Sequence, residues 1–283
     1  MVVPTYNEIG NLPAIVTGIL AQGESYHVLI VDDNSPDGTG VLARQMAVAH
    51  PRVSVMHRTA KEGLGPAYVA GLLHGLSLGY GRLVTMDADL SHNPADLPRL
   101  VAAVEAGADV ACGSRWASGG GTAGWPLHRR LLSRSGSLYA RTVLGLRIRD
   151  VTGGFKCFQR SALAAVDLAG MRTTGYAFNV ELNYRAVRRG MTVVEVPIVF
   201  TERVVGESKM SAGIVLEALR KVPALRFGSG GLAARPARTR HAGIADSPSW
   251  NGGGLGEWQP AGPPNEHAPL PPSAPARVPS PAA

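Results

Sequence analysis

Short apolar runs separated by helix-like segments constrain the fold of this chain more than any other feature of its sequence. The apolar runs are residues 1–4, 27–33, 52–58, 81–90 and 108–114, and the helix-like segments are about 8–21, 38–49, 64–77 and 95–106. Strands that are apolar throughout are covered on both faces, and strands joined by helices pair in parallel. The pattern therefore predicts an α/β fold with a mainly parallel, Rossmann-like sheet flanked by helices.

Polar residues cluster where four of the predicted strands end. The clusters are PTYNE (4–8), DDNSPDGT (32–39), DADLSH (87–92) and GSR (113–115). In open α/β sheets the ligand binds outside the carboxyl ends of the strands. The sequence therefore predicts a ligand site at this edge of the sheet. Because the first run begins at Met1 and is shorter than a usual strand, we also expect that the true start of the protein lies upstream.

Charge and cysteine content narrow the class of partner. The net charge of +7 suits nucleic acid, a membrane surface or phosphorylated substrates, but no nucleic-acid-binding signature accompanies it, so nucleic acid is not expected. The two cysteines, Cys112 and Cys157, do not have the spacing of metal ligands, and we expect buried thiols. The sequence shows neither a secretory signal nor a bilayer-spanning apolar stretch. We therefore expect a cytoplasmic protein with at most a peripheral membrane contact.

The composition changes abruptly after Phe227. Residues 228–283 contain 11 of the 21 prolines and several glycine runs, and such a segment cannot bury enough apolar surface to offset its ordering entropy. We expect a folded domain over 1–227 and a disordered Gly/Pro/Ala-rich tail over 228–283. Residues 211–227 mix apolar and basic side chains, which predicts either an interfacial helix kinked at Pro223 or a terminal helix packed on the core.

Two carboxylates, Asp87 and Asp89, lie two residues apart at the end of the fourth run. In a strand such side chains share a face, and two carboxylates on one face repel unless a cation lies between them or they share a proton. Mg²⁺ typically binds one or two carboxylates together with substrate phosphates. The pair therefore indicates a divalent-metal site for a diphosphate, with a solvated loop pair or a helix N-cap as the alternative.

The acidic end of the second run indicates a nucleoside site. Asp32 and Asp33 end that run, where an acidic residue commonly accepts hydrogen bonds from a ribose or a base. The following SPDGT is typical of a turn into a helix, with Asp37 as the helix cap.

Aromatic and basic side chains extend the predicted ligand edge. Tyr6 can stack on a base and Glu8 can accept from base N–H groups; alternatively, Asn7 is a helix N-cap and Glu8 belongs to the first helical turn. Arg115 follows the fifth run and precedes a segment rich in Gly, Ser and Arg, residues 116–136. That segment is a candidate mobile lid whose arginines contact phosphates, or else a solvated basic helix face.

Taken together, the motifs resemble the dolichyl-phosphate (polyprenyl-monophosphate) mannose synthases within the inverting glycosyltransferase family two. The resemblance covers about residues 1–220 and rests, in order, on PTYNE, DDNSPDGT, MDADLSHNP, GSR, GWPLHRRLLSR, DVTGGFK and ERVVGESK. It implies an A-type glycosyltransferase fold with the catalytic domain over 1–227. It also implies inverting transfer of mannose from GDP-mannose to a polyprenyl monophosphate, with Mg²⁺ or Mn²⁺ as the cofactor.

The resemblance further implies roles for individual residues. The positions that hold the guanosine part of the donor are matched by Pro4, Tyr6, Glu8, Val31 and Asp33. Further donor contacts are matched by Asp87 and Ala88, and the principal metal ligand by Asp89. Ser91 stands where some relatives have a metal-binding glutamine, and serine is the weaker ligand. The groups that hold the diphosphate and the acceptor phosphate are matched by Arg115, Arg203 and Lys209, and further acceptor-phosphate positions by Arg129 and Ser133.

The chemistry of such a transfer agrees with the residues present. A lipid phosphate is already anionic at neutral pH and needs little help from a general base, whereas the departing GDP gains charge that a metal and Lys209 stabilise. The expected catalytic residues are Asp89, Arg115, Arg203 and Lys209. Two alternatives stay open: a relative that uses UDP-glucose or another donor, and an inactive sugar-nucleotide-binding protein. Since some relatives carry transmembrane helices where this chain has residues 228–283, a separate membrane-anchor protein is an expected partner.

Overall fold

A computed structural model describes residues 1–171, 173, 175, 177–202 and 212–227, with the backbone only for 212–218. The chain divides into two units, 1–245 and 246–283, and every described residue belongs to the first. The predicted tail, 228–283, lies outside the described residues, as do Arg203 and Lys209. The domain boundary at Phe227 stays a prediction, as does a true start of the protein upstream of Met1.

The described residues form nine strands and eight α-helices. The strands are β1 (Val2–Thr5), β2 (Val28–Asp32), β3 (Val53–His57), β4 (Arg82–Thr85), β5 (Val110–Ser114), β6 (Gly121–Ala123), β7 (Lys156–Gln159), β8 (Val193–Pro197) and β9 (Val199–Thr201). The helices are α1 (Leu12–Leu20), α2 (Thr39–Ala49), α3 (Leu64–Ser77), α4 (Leu97–Glu105), α5 (Leu127–Leu144), α6 (Arg160–Ala165), α7 (Ala177–Arg188) and α8 (Ala212–Phe227). The five predicted strands overlap β1–β5, and the four predicted helices overlap α1–α4.

Seven strands form one sheet in the order β3-β2-β1-β4-β7-β5-β8. Only β7 runs antiparallel to its neighbours within this described sheet, since every other paired strand is parallel. A separate parallel pair is formed by β6 and β9. The prediction of a mainly parallel sheet flanked by helices is confirmed.

Alternation along β1 builds the two apolar layers that cover the sheet. Val3 belongs to the core cluster beneath α1, where Leu12, Ile15, Val16 and Ile19 are buried at helical spacing. Val2 points to the opposite face and packs with Tyr68 of α3. Each such side chain stabilises the fold by roughly 1.5–3 kcal/mol on full burial. A Cβ on Gly71 of α3 would collide with Val2, so the close approach of α3 to the sheet depends on that glycine.

The strand order reverses between β1 and β4, and Pro4 lies where these two strands separate. On one side β1 pairs with β2, and hydrogen bonds continue to both ends of the pair: the Met1 carbonyl, just before β1, accepts from Leu29 at 2.8 Å, and the Thr5 carbonyl accepts from Asp33, just after β2, at 2.9 Å. On the other side Val2 is the last residue of β1 in register with β4. Pro4 faces that side and has no N–H to donate, so it does not extend the ladder. A crevice therefore opens at the carboxyl ends of β1 and β4, the usual ligand position in open α/β sheets.

The segment 116–136, which the sequence analysis described as a candidate mobile loop, contains a strand and the start of a helix. Residues 121–123 pair with β9 and α5 begins at Leu127, so the segment is not the irregular loop that its glycines suggested, whereas its motion as a lid stays a prediction. A Cβ on Gly120 would collide with the Ser114 carbonyl, so this glycine permits close packing rather than motion. The alternative, a basic helix face, describes the part from 127 onwards.

Helix α8 packs on the core through part of its described surface. Val222 is buried with residues of α5 and α7, whereas Leu219 and Phe227 are exposed. Pro223 cannot donate to the Leu219 carbonyl four residues earlier, and the Tyr139 hydroxyl donates to that carbonyl instead, at 3.2 Å. Core packing thus accounts for Val222. Among the described residues, no helix combines the length and apolar character that crossing a membrane requires.

Candidate active site

The loop after β1 is fixed in position by the loop after β2. The backbone N–H of Asn7 donates to Ser35 Oγ at 3.1 Å, and that of Glu8 donates to Thr39 Oγ1 at 3.0 Å. Asn7 has a left-handed backbone, with φ of 59°, and α1 does not begin until Leu12. The alternative in which Asn7 caps the helix and Glu8 lies in its first turn is therefore wrong. Glu8 is held instead at the mouth of the crevice.

Asp37 shapes the turn into α2, as the sequence predicts. Its Oδ1 accepts from the backbone N–H and the hydroxyl of Thr39 at 3.0 and 2.6 Å. Burial alone would raise the pKa of Asp37, but the hydrogen bonds from Thr39 and from the Ile9 N–H outweigh it, so the pKa is lowered. Asp37 therefore stabilises the turn that precedes α2, whereas the N-cap residue itself is Gly38.

Asp33 anchors the loop between β3 and α3. It is buried, and its carboxylate accepts from the guanidinium of Arg58 and from the N–H groups of Glu62 and Gly63 at 3.2 and 2.9 Å. Because Asp33 already binds these donors, its main effect on the site is to position this loop. Val31 is fully buried within β2, in the same apolar cluster as Val2 and Tyr68, and Pro4 is buried in β1. Their contacts with a nucleotide stay predictions.

Asp87 and Asp89 lie in the turn after β4. The strand ends at Thr85, and Leu90 has φ of 60°, so the prediction that the two carboxylates share a strand face is wrong. The rule for residues i and i+2 applies only to extended backbone. Different neighbours orient them: Tyr68 donates its hydroxyl to Asp87 Oδ1 at 2.7 Å, and Ser91 donates its hydroxyl to Asp89 Oδ1 at 2.6 Å.

A pair of glycines brings the backbone of DVTGGFK against this turn. A Cβ on Gly154 would lie 3.1 Å from Asp87 Oδ2, and one on Gly153 would lie 3.0 Å from the Gly113 carbonyl. Thr85 donates its hydroxyl to the Gly154 carbonyl at 2.7 Å. Side chains at 153 and 154 would therefore displace either the Asp87 carboxylate or β5.

The chemistry of the carboxylate turn fits a divalent cation bound together with a substrate. The described residues contain no group of three or more His, Cys, Asp or Glu side chains that could hold a metal by themselves. Asp87 and Asp89 supply hard oxygen ligands, and Mg²⁺ and Mn²⁺ take their remaining ligands from phosphate oxygens and water. Ser91 is fully buried and donates to the same Asp89 oxygen through its backbone N–H at 3.1 Å. Its hydroxyl thus orients Asp89, and direct metal ligation by Ser91 stays a prediction.

Arg115 is held by a buried carboxylate that the sequence analysis did not single out. Its Nε and one terminal nitrogen donate to the two oxygens of Asp150, both at 2.7 Å, and it also donates to Thr152 Oγ1 at 2.8 Å. Burial would raise the pKa of Asp150, but the charge and hydrogen bonds of Arg115 outweigh it and lower the pKa. A forked pair of this kind fixes the plane of the guanidinium.

Aromatic and basic side chains form one wall of the crevice beside Arg115. The Arg129 guanidinium lies 4.2 Å from the centre of the Trp125 ring and donates to Glu202 at 2.7 Å. Ser133 follows Arg129 by four residues on α5, so the two side chains share a helix face. The structure thus places both predicted acceptor-phosphate residues on one element.

Lys156 and Tyr68 are buried residues of the site that the sequence analysis missed. Lys156 donates to the Gly153 carbonyl and to Asn179 Oδ1, the latter at 2.8 Å, and burial lowers its pKa. Asp150 and Lys156 both lie in DVTGGFK, so the motif itself was the available signal. Tyr68 had none, because an aromatic residue in an apolar helix is usually part of the core.

The open sheet, the carboxylate turn at its switch point and the neighbouring arginines define a glycosyltransferase. Residues 1–166 match the glycosyl transferase family 2, and the chain belongs to this family. It is 50% identical over 223 residues to the polyprenol monophosphomannose synthase of Mycolicibacterium smegmatis, covering 78% of this chain and 84% of that protein. It is 48% identical over 221 residues to the undecaprenyl-phosphate mannosyltransferase of Micrococcus luteus, covering 78% of this chain and 90% of the relative.

Solved structures confirm the A-type glycosyltransferase fold. The glucosyl-3-phosphoglycerate synthase of Mycobacterium tuberculosis, solved with Mn²⁺ and UDP-glucose, superposes with a TM-score of 0.54 at 18% identity, over 79% of this chain and 76% of that one. A mannosyltransferase of Pyrobaculum calidifontis, solved with GDP-mannose and Mn²⁺, superposes with a TM-score of 0.51 at 20% identity, over 73% and 57% of the two chains. At such identities the likeness concerns the fold alone.

Proposed function

We propose that the protein transfers mannose from GDP-mannose to a polyprenyl monophosphate, giving polyprenyl β-mannosyl phosphate and GDP. Relatives at about half identity are named as enzymes of this kind. The main support for the proposal comes from the segment 150–154, because it contacts a positively charged side chain at one end and a negatively charged one at the other. Asp150 binds Arg115 at one end, and Gly154 lies against Asp87 at the other. An enzyme that binds an anionic acceptor beside a metal-bound anionic donor needs a cation for the acceptor close to a carboxylate on the side of the metal.

In the donor half, Tyr6, Glu8 and Asp33 with Pro4 and Val31 receive the guanosine, and Asp87 and Ala88 contact the sugar diphosphate. Asp89, oriented by Ser91, is the proposed principal ligand of Mg²⁺ or Mn²⁺. When bound, the cation neutralises the diphosphate and stabilises the charge of the departing GDP.

In the acceptor half, Arg115, Arg129 and Ser133 hold the lipid phosphate. Its oxygen is anionic at neutral pH, so it attacks the sugar directly and inverts the configuration without a general base. Arg203 and Lys209, which lie outside the described residues, are the further proposed cations for the two sets of phosphates.

A lipid acceptor requires the enzyme to reach a membrane, and α5 supports a peripheral contact. Four of its leucines are 45% to 69% exposed, and they are Leu127, Leu131, Leu132 and Leu138. The same helix carries exposed Arg130 and Arg134 next to Arg129 and Ser133. Apolar and basic side chains together suit an anionic lipid surface. We place the enzyme at the cytoplasmic face of the membrane, with a separate anchor protein as a possible partner.

Donor competition tests the nucleotide assignment. Purified protein with Mn²⁺ and labelled GDP-mannose is titrated with GDP and, separately, with UDP, while UDP-glucose is offered as the alternative donor. We expect GDP to displace the label at lower concentration than UDP. Tighter binding of UDP, or transfer of glucose in preference to mannose, contradicts the proposed donor.

A further inference from the structure

Lys61 covers the aromatic ring on which the donor base is proposed to stack. Its Nζ lies 3.7 Å from the centre of the Tyr6 ring. Tyr6 directly follows β1, at the mouth of the crevice, and is half-buried, whereas Lys61 is exposed. A cation over an aromatic face at an exposed site is held only weakly, so a planar base can replace it there.

The loop that carries Lys61 does not move away when its side chain is displaced, because Asp33 anchors it. Three donors of that loop, from Arg58, Glu62 and Gly63, bind the buried Asp33 carboxylate. Glu62 and Gly63 follow Lys61 directly in the chain. The Lys61 ammonium, on its flexible stem, thus stays within reach of the rim of any base that stacks on Tyr6.

The chemistry of a lysine at this rim discriminates among nucleobases. Guanine presents two adjacent acceptors, O6 and N7, to which lysine commonly donates. Adenine keeps N7 but presents an amine donor at position 6, which repels an ammonium, and a uracil edge offers one carbonyl without the neighbouring N7. An ammonium held here therefore favours a purine with an oxygen at position 6.

We propose that Lys61 is a specificity-determining residue of the donor site that leaves the Tyr6 ring when the base stacks and donates to O6 and N7 of guanine. This inference rests on the proposed function, because it takes the crevice beside Tyr6 as the nucleotide site. It assigns Asp33 a positioning role, since that carboxylate holds the loop that delivers Lys61.

Binding of GDP, IDP, ADP and UDP in the presence of Mn²⁺ tests the proposal in the wild type and in Lys61→Met, Lys61→Arg and Arg82→Ala. IDP keeps O6 and N7 but lacks the 2-amino group of guanine. Lys61→Met keeps the length of the side chain without its charge. We expect it to weaken GDP and IDP about tenfold, the effect of one charge-assisted hydrogen bond, and to change ADP less than about twofold. Lys61→Arg keeps the preference, because arginine also donates to O6 and N7.

Arg82→Ala is the matched control, because it also removes one positive charge from the surface. Arg82 begins β4, at the end of the strand opposite to the crevice, and pairs with Glu105 at 3.0 Å. We expect it to leave all four affinities unchanged.

Two results for Lys61→Met overturn the inference while the proposed function stands: an equal loss of affinity for all four nucleotides, which indicates a general charge effect, or no loss of affinity for GDP and IDP. A wild type that binds UDP more tightly than GDP overturns both this inference and the proposed donor. Failure of the Lys61 inference thus shows in the affinities of the variant, whereas failure of the proposed donor shows in the affinities of the wild type.

Discussion

Asp150 fixes the orientation of Arg115 and offsets the free-energy cost of burying its charge. Both oxygens of Asp150 accept from the guanidinium, and the carboxylate is fully buried. Asp150→Asn replaces one acceptor by an amide donor that faces a cation. We expect the free energy of unfolding to fall by about 3 kcal/mol, as when one partner of a buried pair is removed. The KM for the polyprenyl phosphate should rise about tenfold, which corresponds to about 1.4 kcal/mol of lost phosphate binding.

A second aspartate–arginine pair provides the control for this variant. Asp167 contacts Arg185 at 3.3 Å, but the Asp167 side chain is 57% exposed. We expect Asp167→Asn to leave the KM for the polyprenyl phosphate unchanged. It should change the free energy of unfolding by at most a few tenths of a kcal/mol. Unchanged acceptor KM in a folded Asp150→Asn enzyme would contradict the positioning role of Asp150.

The pair formed by Asp150 and Arg115 also predicts how the stability of the fold depends on pH. The pKa of Asp150 is lowered in the folded state, so the stability it contributes is complete above the ordinary carboxyl pKa of about 4. That contribution is lost as the pH falls through the lowered value. Denaturation curves of the wild type and Asp150→Asn should therefore converge at acidic pH. A constant difference over the whole acidic range would contradict this linkage.

At the scale of elements, α5 is the helix that joins the proposed acceptor site to the proposed membrane surface. Replacing Leu131 and Leu138 by Gln removes exposed apolar area, so we expect clearly weaker cosedimentation with vesicles that contain anionic lipid. Transfer to a short, water-soluble polyprenyl phosphate should be retained. The control replaces Val41 and Val48, exposed apolar residues of α2, by Gln. Equal vesicle binding by both double variants would contradict the role of α5.

The sequence predicts β1–β5 and α1–α4 because their apolar periodicity is local. It does not predict β7, a four-residue strand whose first residue is the buried Lys156, because one of the two acceptors that allow this burial, Asn179, is distant in sequence. The regular structure within residues 116–136 was not predicted for a related reason. Its glycines suggest motion, but Gly120 is needed for close packing against Ser114. Such requirements exist only after the chain has folded.

At the scale of the whole molecule, the reversal of strand order between β1 and β4 marks the position of the candidate active site. Pro4 ends the pairing of these strands, and polar loops from both sides meet at the opening. The location of the candidate site was predictable from this rule and from the motifs at the strand ends. The orientation of its groups was not, because Tyr68 and Asp150 act through contacts that no spacing in the sequence reveals.

The proposed function requires that a metal ion held by Asp89 enables mannose transfer to a lipid phosphate. The most direct measurement follows label from GDP-mannose into organic-soluble product, with a short polyprenyl phosphate and Mg²⁺ or Mn²⁺, for the wild type and Asp89→Ala. We predict product from the wild type only, and none when the metal is chelated. The absence of organic-soluble product from the wild type would contradict the proposed function, and equal product from folded Asp89→Ala would contradict the role of Asp89.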